Sequence, residues 1–510
     1  MRFHTNPASP ASLLILLCLA LTFASICATA VNSATRDFVP GDQISPLIKN
    51  DQSLTLKGEA IHAGIAQDWT LTIDGDGRGI STITGSYSAV TGYDGESLWR
   101  IENGAGPFNV DFAEREVWLM TLLTLVGQEG RIAIPVDDKN DVKNVEQYQI
   151  PNGSLVFEKT ENRQLRAINS PAGEMVTFSA DDHPTLEGIP QTIQISNIGT
   201  ISEYRIVSAE IGPAMGDPHF SRPTRRTDGF EFLTGIGAEL KVRQAASGHM
   251  FVQPLINGKN LGWFLFDSGA GFSGLNGTLA EQAGFEQVGS RVIGGIGGPG
   301  QSASRYVGGP VQLGPLLIDS LAFTDVGAMA KAQNVLGEPV VGVLGWDVLI
   351  RAIVEIDLRD GRLFLLDPEK YRAPAEYRQP LYIHWSVPYV RARFAGNHEG
   401  PFMFDTGAGN RGVIFTYFSG NRFNLIEGRA GPERTATGAG GKVSQISGEL
   451  EWFEVAGHRT SPAPAAFFTE DDYEADIFTV GFLGGAVVSP FRITLDYGRG
   501  EAGFIPRMDR

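Results

Sequence analysis

The chain of 510 residues is too long for a single hydrophobic core, so two or three domains are expected. Hydrophobic residues make up 42% and charged residues 19%, a composition typical of a globular protein and unlike that of a disordered chain or a membrane protein. The net charge of −17 argues against a general nucleic-acid-binding protein, whose surface would be basic.

The N-terminus has the pattern of a secretory signal peptide. Arg2 precedes an apolar run over residues 13–26, which ends in Ala28-Thr29-Ala30. We predict cleavage after Ala30 and an exported protein, periplasmic or extracellular. The run is shorter than the roughly 20 residues of a spanning helix, so no stable membrane span is expected. A lipid anchor on Cys27 is the alternative.

Residues 31–211 are predicted to form an N-terminal α+β domain with a curved antiparallel sheet. Alternating apolar residues and Gly/Asp turns predict strands at 54–62, 69–73, 79–84, 97–101, 147–150, 153–159, 191–196 and 203–209. A capping box at Asp111 predicts a helix through about Leu125. Residues 212–229, with three prolines and several arginines, are predicted to be a linker.

Gly92-Tyr93-Asp94-Gly95 followed by Trp99 resembles a stretch of exported proteins with a lipoprotein-carrier-like fold. The resemblance implies a curved sheet that could hold an acyl chain or a peptide. The alternative is a folding or targeting module in which Tyr93 and Trp99 are core aromatics.

An internal repeat dominates the C-terminal half and predicts two copies of one unit, residues 230–370 and 371–510. Gly262-Trp-Phe-Leu-Phe-Asp267-Ser-Gly-Ala-Gly271 is echoed by Gly400-Pro-Phe-Met-Phe-Asp405-Thr-Gly-Ala-Gly409, at an offset of 405 − 267 = 138. Val341-Gly-Val-Leu-Gly345 is echoed by Val480-Gly-Phe-Leu-Gly484, at an offset of 480 − 341 = 139.

Each copy is predicted to be β-rich. In copy 1, strands at 251–256 and 262–266 flank an Asn257-Gly258 turn, and copy 2 repeats the pattern around Gly396-Asn397. A short helical turn is expected after each Gly-x-Leu-Gly, at 346–350 and 486–488. Each copy also has a glycine-rich stretch that suits a hairpin tip. The glycines concerned are Gly294, Gly295 and Gly297 in copy 1, and Gly438 and Gly440 in copy 2.

Asp267 and Asp405 are the candidate catalytic residues. Each follows an apolar run and ends a buried strand, where an ionised carboxylate is costly unless it is used or paired. Two such loops related by a repeat can meet tip to tip, and two carboxylates that close share one proton. The neutral carboxyl can then donate to a substrate carbonyl while the ionised one deprotonates a water.

The paired Asp-Ser/Thr-Gly-Ala motifs, each with its downstream Gly-x-Leu-Gly, resemble the two half-sites of retropepsin-like and pepsin-like aspartic peptidases. The resemblance implies a two-lobed all-β fold, a polypeptide substrate and a monomer that is an internal pseudo-dimer. It also implies that Ser268 and Thr406, with Gly269 and Gly407, brace the two loops, and that the glycine stretches are flaps. The alternatives are structural turns in a duplicated β domain, and a non-catalytic protein that binds peptide or lipid.

No cofactor or metal is predicted. The histidines are scattered without zinc-ligand spacing, and the glycine runs do not match a phosphate-binding loop. Asp357 and Asp496 also repeat, but they lie beside Asp/Gly/Arg turns, where a turn or salt-bridge role is expected. Asp347 has no acidic counterpart and is expected to be a surface or capping residue.

Overall fold

A computed structural model describes the greater part of the chain. The described residues are 48–62, 65–85, 88–102, 105–109, 118, 121, 125, 134–135, 145–150, 153–159, 165–169, 175–179, 182–183, 186–197, 200–223, 229–384, 386–427, 431–438, 440–470 and 479–507. The predicted signal peptide lies outside these residues, as does most of the predicted helix at 111–125. Residues 44–510 form one compact unit.

The N-terminal part is a long antiparallel sheet, as the alternating strands predicted. Its strands, in spatial order, are Ala105–Asn109, Leu98–Glu102, Ala89–Tyr93, Gly79–Thr84, Ile65–Asp74, Gln52–His62, Thr200–Pro213, Thr192–Asn197, Met175–Phe178, Leu165–Asn169, Gly153–Lys159, Val145–Ile150 and Ile134–Pro135. A separate two-stranded ladder pairs Asp182–His183 with Leu186–Pro190. Apolar side chains from one face, such as Leu54, Leu71 and Ile206, form the core of this part.

The predicted linker carries regular structure at its start. The strand Thr200–Pro213 runs into it, and a helical turn follows at Asp217–Phe220. Phe220 is fully buried, and its carbonyl accepts a hydrogen bond from the Trp99 indole at 3.2 Å. Trp99 itself is 2% exposed and packs against Gly92, where a side chain would collide with the indole ring. The interpretation of Trp99 as a core aromatic is therefore confirmed.

Lobe 1 (residues 230–370) is built on two sheets. One contains, in order, Phe230–Phe232, Leu316–Ile318, Val311–Leu313, Leu255–Ile256 and Lys259–Asn260. The other contains Arg243–Gln244, Met250–Val252, Trp263–Phe266, Val340–Leu344, Gly274–Leu275, Leu321–Asp325, Gly298–Gly308 and Glu286–Gly295. Its helices are Gly277–Gln282, Ala330–Leu336 and Trp346–Leu349.

Lobe 2 (residues 371–510) repeats this plan in one larger sheet. The order is Glu433–Thr437, Lys442–Leu450, Ala463–Phe468, Val413–Phe415, Gly481–Leu483, His398–Phe404, Val387–Phe394, Phe453–Val455 and His458–Thr460, with Tyr382–His384 pairing Val387–Phe394. Its helices are Tyr417–Arg422 and Gly485–Val488, with 3₁₀ turns at Ala375–Tyr377 and Thr406–Ala408. The predicted mostly-β fold class and both predicted helical turns after Gly-x-Leu-Gly are confirmed.

A third sheet joins the lobes. Its order is Gly237–Glu239, Arg362–Leu366, Ile353–Asp357, Phe491–Asp496, Glu501–Pro506 and Arg378–Pro380. The central pair, Ile353–Asp357 with Phe491–Asp496, consists of equivalent strands from the two copies, and it runs antiparallel. Both copies share one apolar core, which includes Phe264 and Phe402 at equivalent repeat positions. This shared sheet was not predicted.

Candidate active site

Each candidate aspartate ends a strand that is held on one side by the Gly-x-Leu-Gly element of its own copy. Trp263–Phe266 pairs in parallel with Val340–Leu344, and His398–Phe404 pairs in parallel with Gly481–Leu483. The ladders continue into the loops, because the Asp267 N–H donates to the Leu344 carbonyl at 3.0 Å. The backbone that carries each carboxylate is therefore fixed by the second repeated motif.

The first glycine of each Gly-x-Leu-Gly element, Gly342 or Gly481, is required by close packing. A side chain at Gly342 would lie 2.3 Å from the Gly274 carbonyl oxygen and 2.4 Å from the Phe264 ring. A side chain at Gly481 would lie 2.2 Å from the Ile414 carbonyl oxygen. Only glycine lets three strands meet this closely behind each aspartate.

Ser268 and Thr406 exchange hydrogen bonds across the two lobes. The Ser268 N–H donates to Thr406 Oγ1 at 2.9 Å, and the Thr406 N–H donates to Ser268 Oγ at 3.0 Å. Each hydroxyl then donates onward across the seam, Ser268 to the Phe404 carbonyl at 2.7 Å and Thr406 to the Phe266 carbonyl at 3.0 Å. Both side chains are 1% exposed, so the four hydrogen bonds are shielded from water. They hold the two aspartate loops face to face.

Asp267 and Asp405 lie next to each other, and each remains partly exposed. Gly269 N–H donates to Asp267 Oδ1 at 2.9 Å, and Gly407 N–H donates to Asp405 Oδ1 at 2.7 Å. The same glycines admit the opposite carboxylate. A side chain at Gly407 would lie 2.7 Å from the Asp267 oxygens, and one at Gly269 would lie 2.5 Å from Asp405 Oδ1.

The pair is electrostatically coupled. Burial raises the pKa of the Asp405 carboxyl well above its usual range, and the charge of Asp267 raises it further. Burial also raises the pKa of Asp267, although the hydrogen bond from Gly269 N–H acts in the opposite direction. Two carboxyls in hydrogen-bonding contact repel each other when both are ionised, so the pair favours a state in which they share one proton. One can therefore donate a hydrogen bond while the other accepts a proton.

The two glycine-rich stretches form hairpins whose tips meet. The first glycine hairpin pairs Glu286–Gly295 with Gly298–Gly308, and the second pairs Glu433–Thr437 with Lys442–Leu450. The Gly440 N–H of the second donates to the Ile296 carbonyl of the first at 3.2 Å. A side chain at Gly440 would lie 2.3 Å from the Gly298 carbonyl oxygen.

The five predicted hairpin glycines fall at or beside these tips: Gly294, Gly295 and Gly297 in the first hairpin, Gly438 and Gly440 in the second. The first tip reaches across into lobe 2. Ile296 packs against an apolar cluster of lobe 2 that includes Ala408, three residues after Asp405. Both hairpins thus contribute to one contact, although their spacing from the aspartates differs.

The other two repeated aspartates, Asp357 and Asp496, have the turn and salt-bridge roles that were predicted. Asp357 Oδ1 accepts from the Asp360 N–H at 3.0 Å and pairs with Arg507. Asp496 Oδ1 accepts from the Arg499 N–H at 3.0 Å and pairs with the same Arg499 side chain. Asp347 is neither an exposed surface residue nor the cap of its own helix, contrary to expectation: it is half-buried and accepts a hydrogen bond from the Ser273 N–H of another loop at 2.6 Å.

Two residues beside the dyad were not singled out from the sequence. His249 Nε2 lies 2.9 Å from the Gly407 carbonyl oxygen. Tyr497 is 1% exposed, and its hydroxyl has no hydrogen-bond partner among the described residues. Burial raises the pKa of that hydroxyl, and the charge of Asp267 adds to the effect. The repeat alignment could have identified both residues. His249 aligns with Val387 and Tyr497 aligns with Leu358, so each is a polar residue that only one copy carries.

Within the described residues, no group of three or more His, Cys, Asp or Glu side chains is arranged to hold a metal ion. The helices in that part of the chain are all too short or too polar to cross a membrane.

Comparison with known proteins agrees with this geometry. Residues 252–348 match the family model described as "Aspartyl protease". The match falls within lobe 1, spans its aspartate motif and its Gly-x-Leu-Gly, and confirms the resemblance to aspartic peptidases. No curated protein matches the sequence significantly.

Three solved structures are similar to parts of the chain. An aspartic proteinase from Irpex lacteus is 12% identical, with 53% of this chain and 97% of that chain covered and a TM-score of 0.34. A retropepsin-like aspartic protease from Rickettsia conorii is 19% identical, covering 27% and 93%, with a TM-score of 0.21. A LolA superfamily protein from Nitrosomonas europaea is 12% identical, covering 34% and 92%, with a TM-score of 0.24.

Proposed function

We propose that the protein is an aspartic endopeptidase that hydrolyses peptide bonds of polypeptide substrates, with Asp267 and Asp405 as its catalytic dyad. The observation that carries this proposal is the reciprocal exchange between Ser268 and Thr406, which holds the two aspartate loops together. Structural turns in a duplicated domain would have no reason to bury these hydroxyls against the opposite lobe.

The reaction uses the shared proton. The ionised carboxyl accepts a proton from a water molecule as that water attacks the scissile carbonyl carbon, and the neutral carboxyl donates its hydrogen bond to the carbonyl oxygen. The carboxyl that took the proton from water then supplies it to the leaving amine. Because Gly269 and Gly407 admit the carboxylates from the opposite side, the two acids can act on one substrate bond. The glycine hairpins would cover the substrate and exclude bulk water.

The dyad is tested with Asp267→Asn and Asp405→Asn in the full chain. Each variant should remain folded and lose hydrolysis of a mixed peptide library between pH 3 and 7. Asp319→Asn, an exposed aspartate in lobe 1, is the matched control and should retain activity. Wild-type activity in either dyad variant would refute the assignment.

A statine-type transition-state mimic separates a catalytic site from a binding protein. Tight binding of the mimic without cleavage of generic peptides would indicate a peptidase with one dedicated protein substrate. Neither binding nor cleavage would favour the non-catalytic alternative.

We further propose that the enzyme is exported and acts as a monomer. The basic residue, apolar run and Ala-x-Ala site of the first 30 residues support export. Both half-sites lie in one chain, so a second copy is not needed for the dyad. N-terminal sequencing of the exported protein should begin at Val31, and a mature protein retained in the cytosol would contradict export.

A further inference from the structure

A segment of lobe 1 reaches across the seam and holds the aspartate loop of lobe 2. The Ser247 carbonyl accepts a hydrogen bond from the Asn410 N–H at 2.7 Å. His249, two residues later, lies with Nε2 2.9 Å from the Gly407 carbonyl oxygen. Its other ring nitrogen, Nδ1, lies 2.8 Å from Ser247 Oγ. Lobe 1 therefore contacts the Asp405 loop at a point separate from the Ser268–Thr406 exchange.

These contacts fix the tautomer of the imidazole. A carbonyl oxygen can only accept, so Nε2 carries the proton and donates to Gly407. Nδ1 then accepts from the Ser247 hydroxyl, and both ring nitrogens of the neutral imidazole are satisfied. Gly409 makes room for this arrangement, because a side chain there would lie 2.3 Å from the Ser247 carbonyl oxygen and 3.0 Å from the imidazole.

Gly407 is the residue that most needs such a restraint. It must be glycine, since a side chain would collide with the Asp267 carboxylate. Glycine is also the residue with the greatest backbone freedom. Its N–H donates to Asp405 Oδ1 at 2.7 Å, so rotation of its backbone would disturb the orientation of the catalytic carboxyl. The hydrogen bond from His249 anchors the carbonyl on the other side of the same residue.

The restraint is present on one side of the dyad only. At the repeat offset of 387 − 249 = 138, the counterpart of His249 is Val387, whose side chain cannot hydrogen-bond to the Gly269 carbonyl. The two half-sites therefore differ in how their loops are supported, although their aspartate motifs are equivalent.

We propose that His249 is a positioning residue that orients Asp405 through the Gly407 carbonyl and makes the two halves of the dyad inequivalent. This inference rests on the proposed function of the dyad. His249 acts through the loop and does not need to touch the substrate.

Two charged groups face His249, Asp267 and Arg411. Burial lowers the pKa of the imidazole and is the largest effect, while the Gly407 carbonyl and the charge of Asp267 act in the opposite direction. Arg411 lowers it further. The neutral form, which both hydrogen bonds already satisfy, is therefore the form expected at neutral pH.

The kinetic test compares His249→Gln with His249→Phe in the full chain. Glutamine places an amide N–H donor near the position of Nε2 but does not titrate, whereas phenylalanine keeps the ring and loses the donor. We expect kcat to fall roughly tenfold in His249→Phe, the value of one lost hydrogen bond, and to stay within about threefold of wild type in His249→Gln. His458→Gln, at an exposed position of lobe 2, is the control and should be silent. Equal activity of the phenylalanine variant and wild type would overturn the proposal, as would an equal loss in both variants.

A second measurement does not depend on catalysis. Selective ¹⁵N labelling of the eight histidines, with assignment from the spectrum of His249→Gln, reports the tautomer directly. We expect protonation at Nε2, and a further fall of the His249 pKa in Asp267→Asn, where the attractive charge is removed. Protonation at Nδ1 would overturn the inference even if the enzyme is active. Inactive wild-type protein with the expected tautomer would instead refute the proposed function and leave the contact in place.

Discussion

Thr406→Ala should destabilise the junction between the lobes far more than an ordinary surface substitution. The Thr406 hydroxyl satisfies two buried backbone groups of lobe 1, the Ser268 N–H and the Phe266 carbonyl. Alanine at position 406 removes the partner of both backbone groups, and water cannot replace it because Thr406 is only 1% exposed. Each unsatisfied buried group costs about 1–3 kcal/mol, so the free energy of unfolding should fall by about 2–6 kcal/mol. That is a large share of the roughly 5–15 kcal/mol by which a protein is usually stable.

The assay is urea denaturation at neutral pH, with Thr406→Ser as the matched control. Serine keeps the hydroxyl and loses only a methyl group, so most of the stability should return. Ser268→Ala provides the mirror experiment, because it removes the hydrogen-bond partner of the Thr406 N–H and of the Phe404 carbonyl. If Thr406→Ala and Thr406→Ser unfold at the same urea concentration, the hydroxyl does not hold the lobes together and the reasoning is wrong.

Three further predictions concern the dyad, the hairpins and the N-terminal sheet. The pKa of Asp405 is higher in the folded protein than in the unfolded chain, so ionising this carboxyl lowers the free energy of unfolding as the pH rises. Asp405→Asn should therefore gain stability relative to wild type between pH 4 and pH 7. A difference in urea midpoints that stays constant over this range would contradict the prediction. Gly440→Ala should push the hairpin tips apart and lower kcat/KM for peptides with little change in melting temperature, while Gly235→Ala, which has open space around it, should change neither. Phe108 is 2% exposed and packs edge-on against Trp346, with 4.7 Å between the ring centroids. Phe108→Ala should lower the free energy of unfolding by about 3–5 kcal/mol, and an unchanged calorimetric transition would refute the role of Phe108 in joining the N-terminal sheet to lobe 1.

The features that the sequence predicted well are local or repeated. The Asn257-Gly258 turn has positive φ at both residues, and Gly396-Asn397 does too, because this backbone shape is encoded by the turn residues themselves. The pairing of Asp267 with Asp405 followed from the repeat, since equivalent loops of a duplicated unit can meet about an axis between the copies. These inferences needed no knowledge of distant contacts.

The features that were not predicted depend on contacts between distant segments. The shared sheet joins Ile353–Asp357 to Phe491–Asp496, and the sequence of neither strand specifies which strand it will pair with. The prolines and arginines around Phe220 predict a linker, yet Phe220 is fully buried and its carbonyl accepts a hydrogen bond from the distant Trp99 indole. His249 shows the same limit, because its importance comes from a carbonyl 158 residues away.

The shared sheet also sets an order of events during synthesis. Ile353–Asp357 has Phe491–Asp496 as its neighbour, and Glu501–Pro506 then pairs with both Phe491–Asp496 and Arg378–Pro380. A nascent chain that has not yet released residues 491–506 from the ribosome would expose the edge of Ile353–Asp357. The shared sheet cannot join the lobes before that point, although the Ser268–Thr406 exchange does not depend on these strands. The strands that complete this sheet follow both Asp267 and Asp405 in the chain, so this junction between the copies cannot form until nearly the whole of both copies has been made.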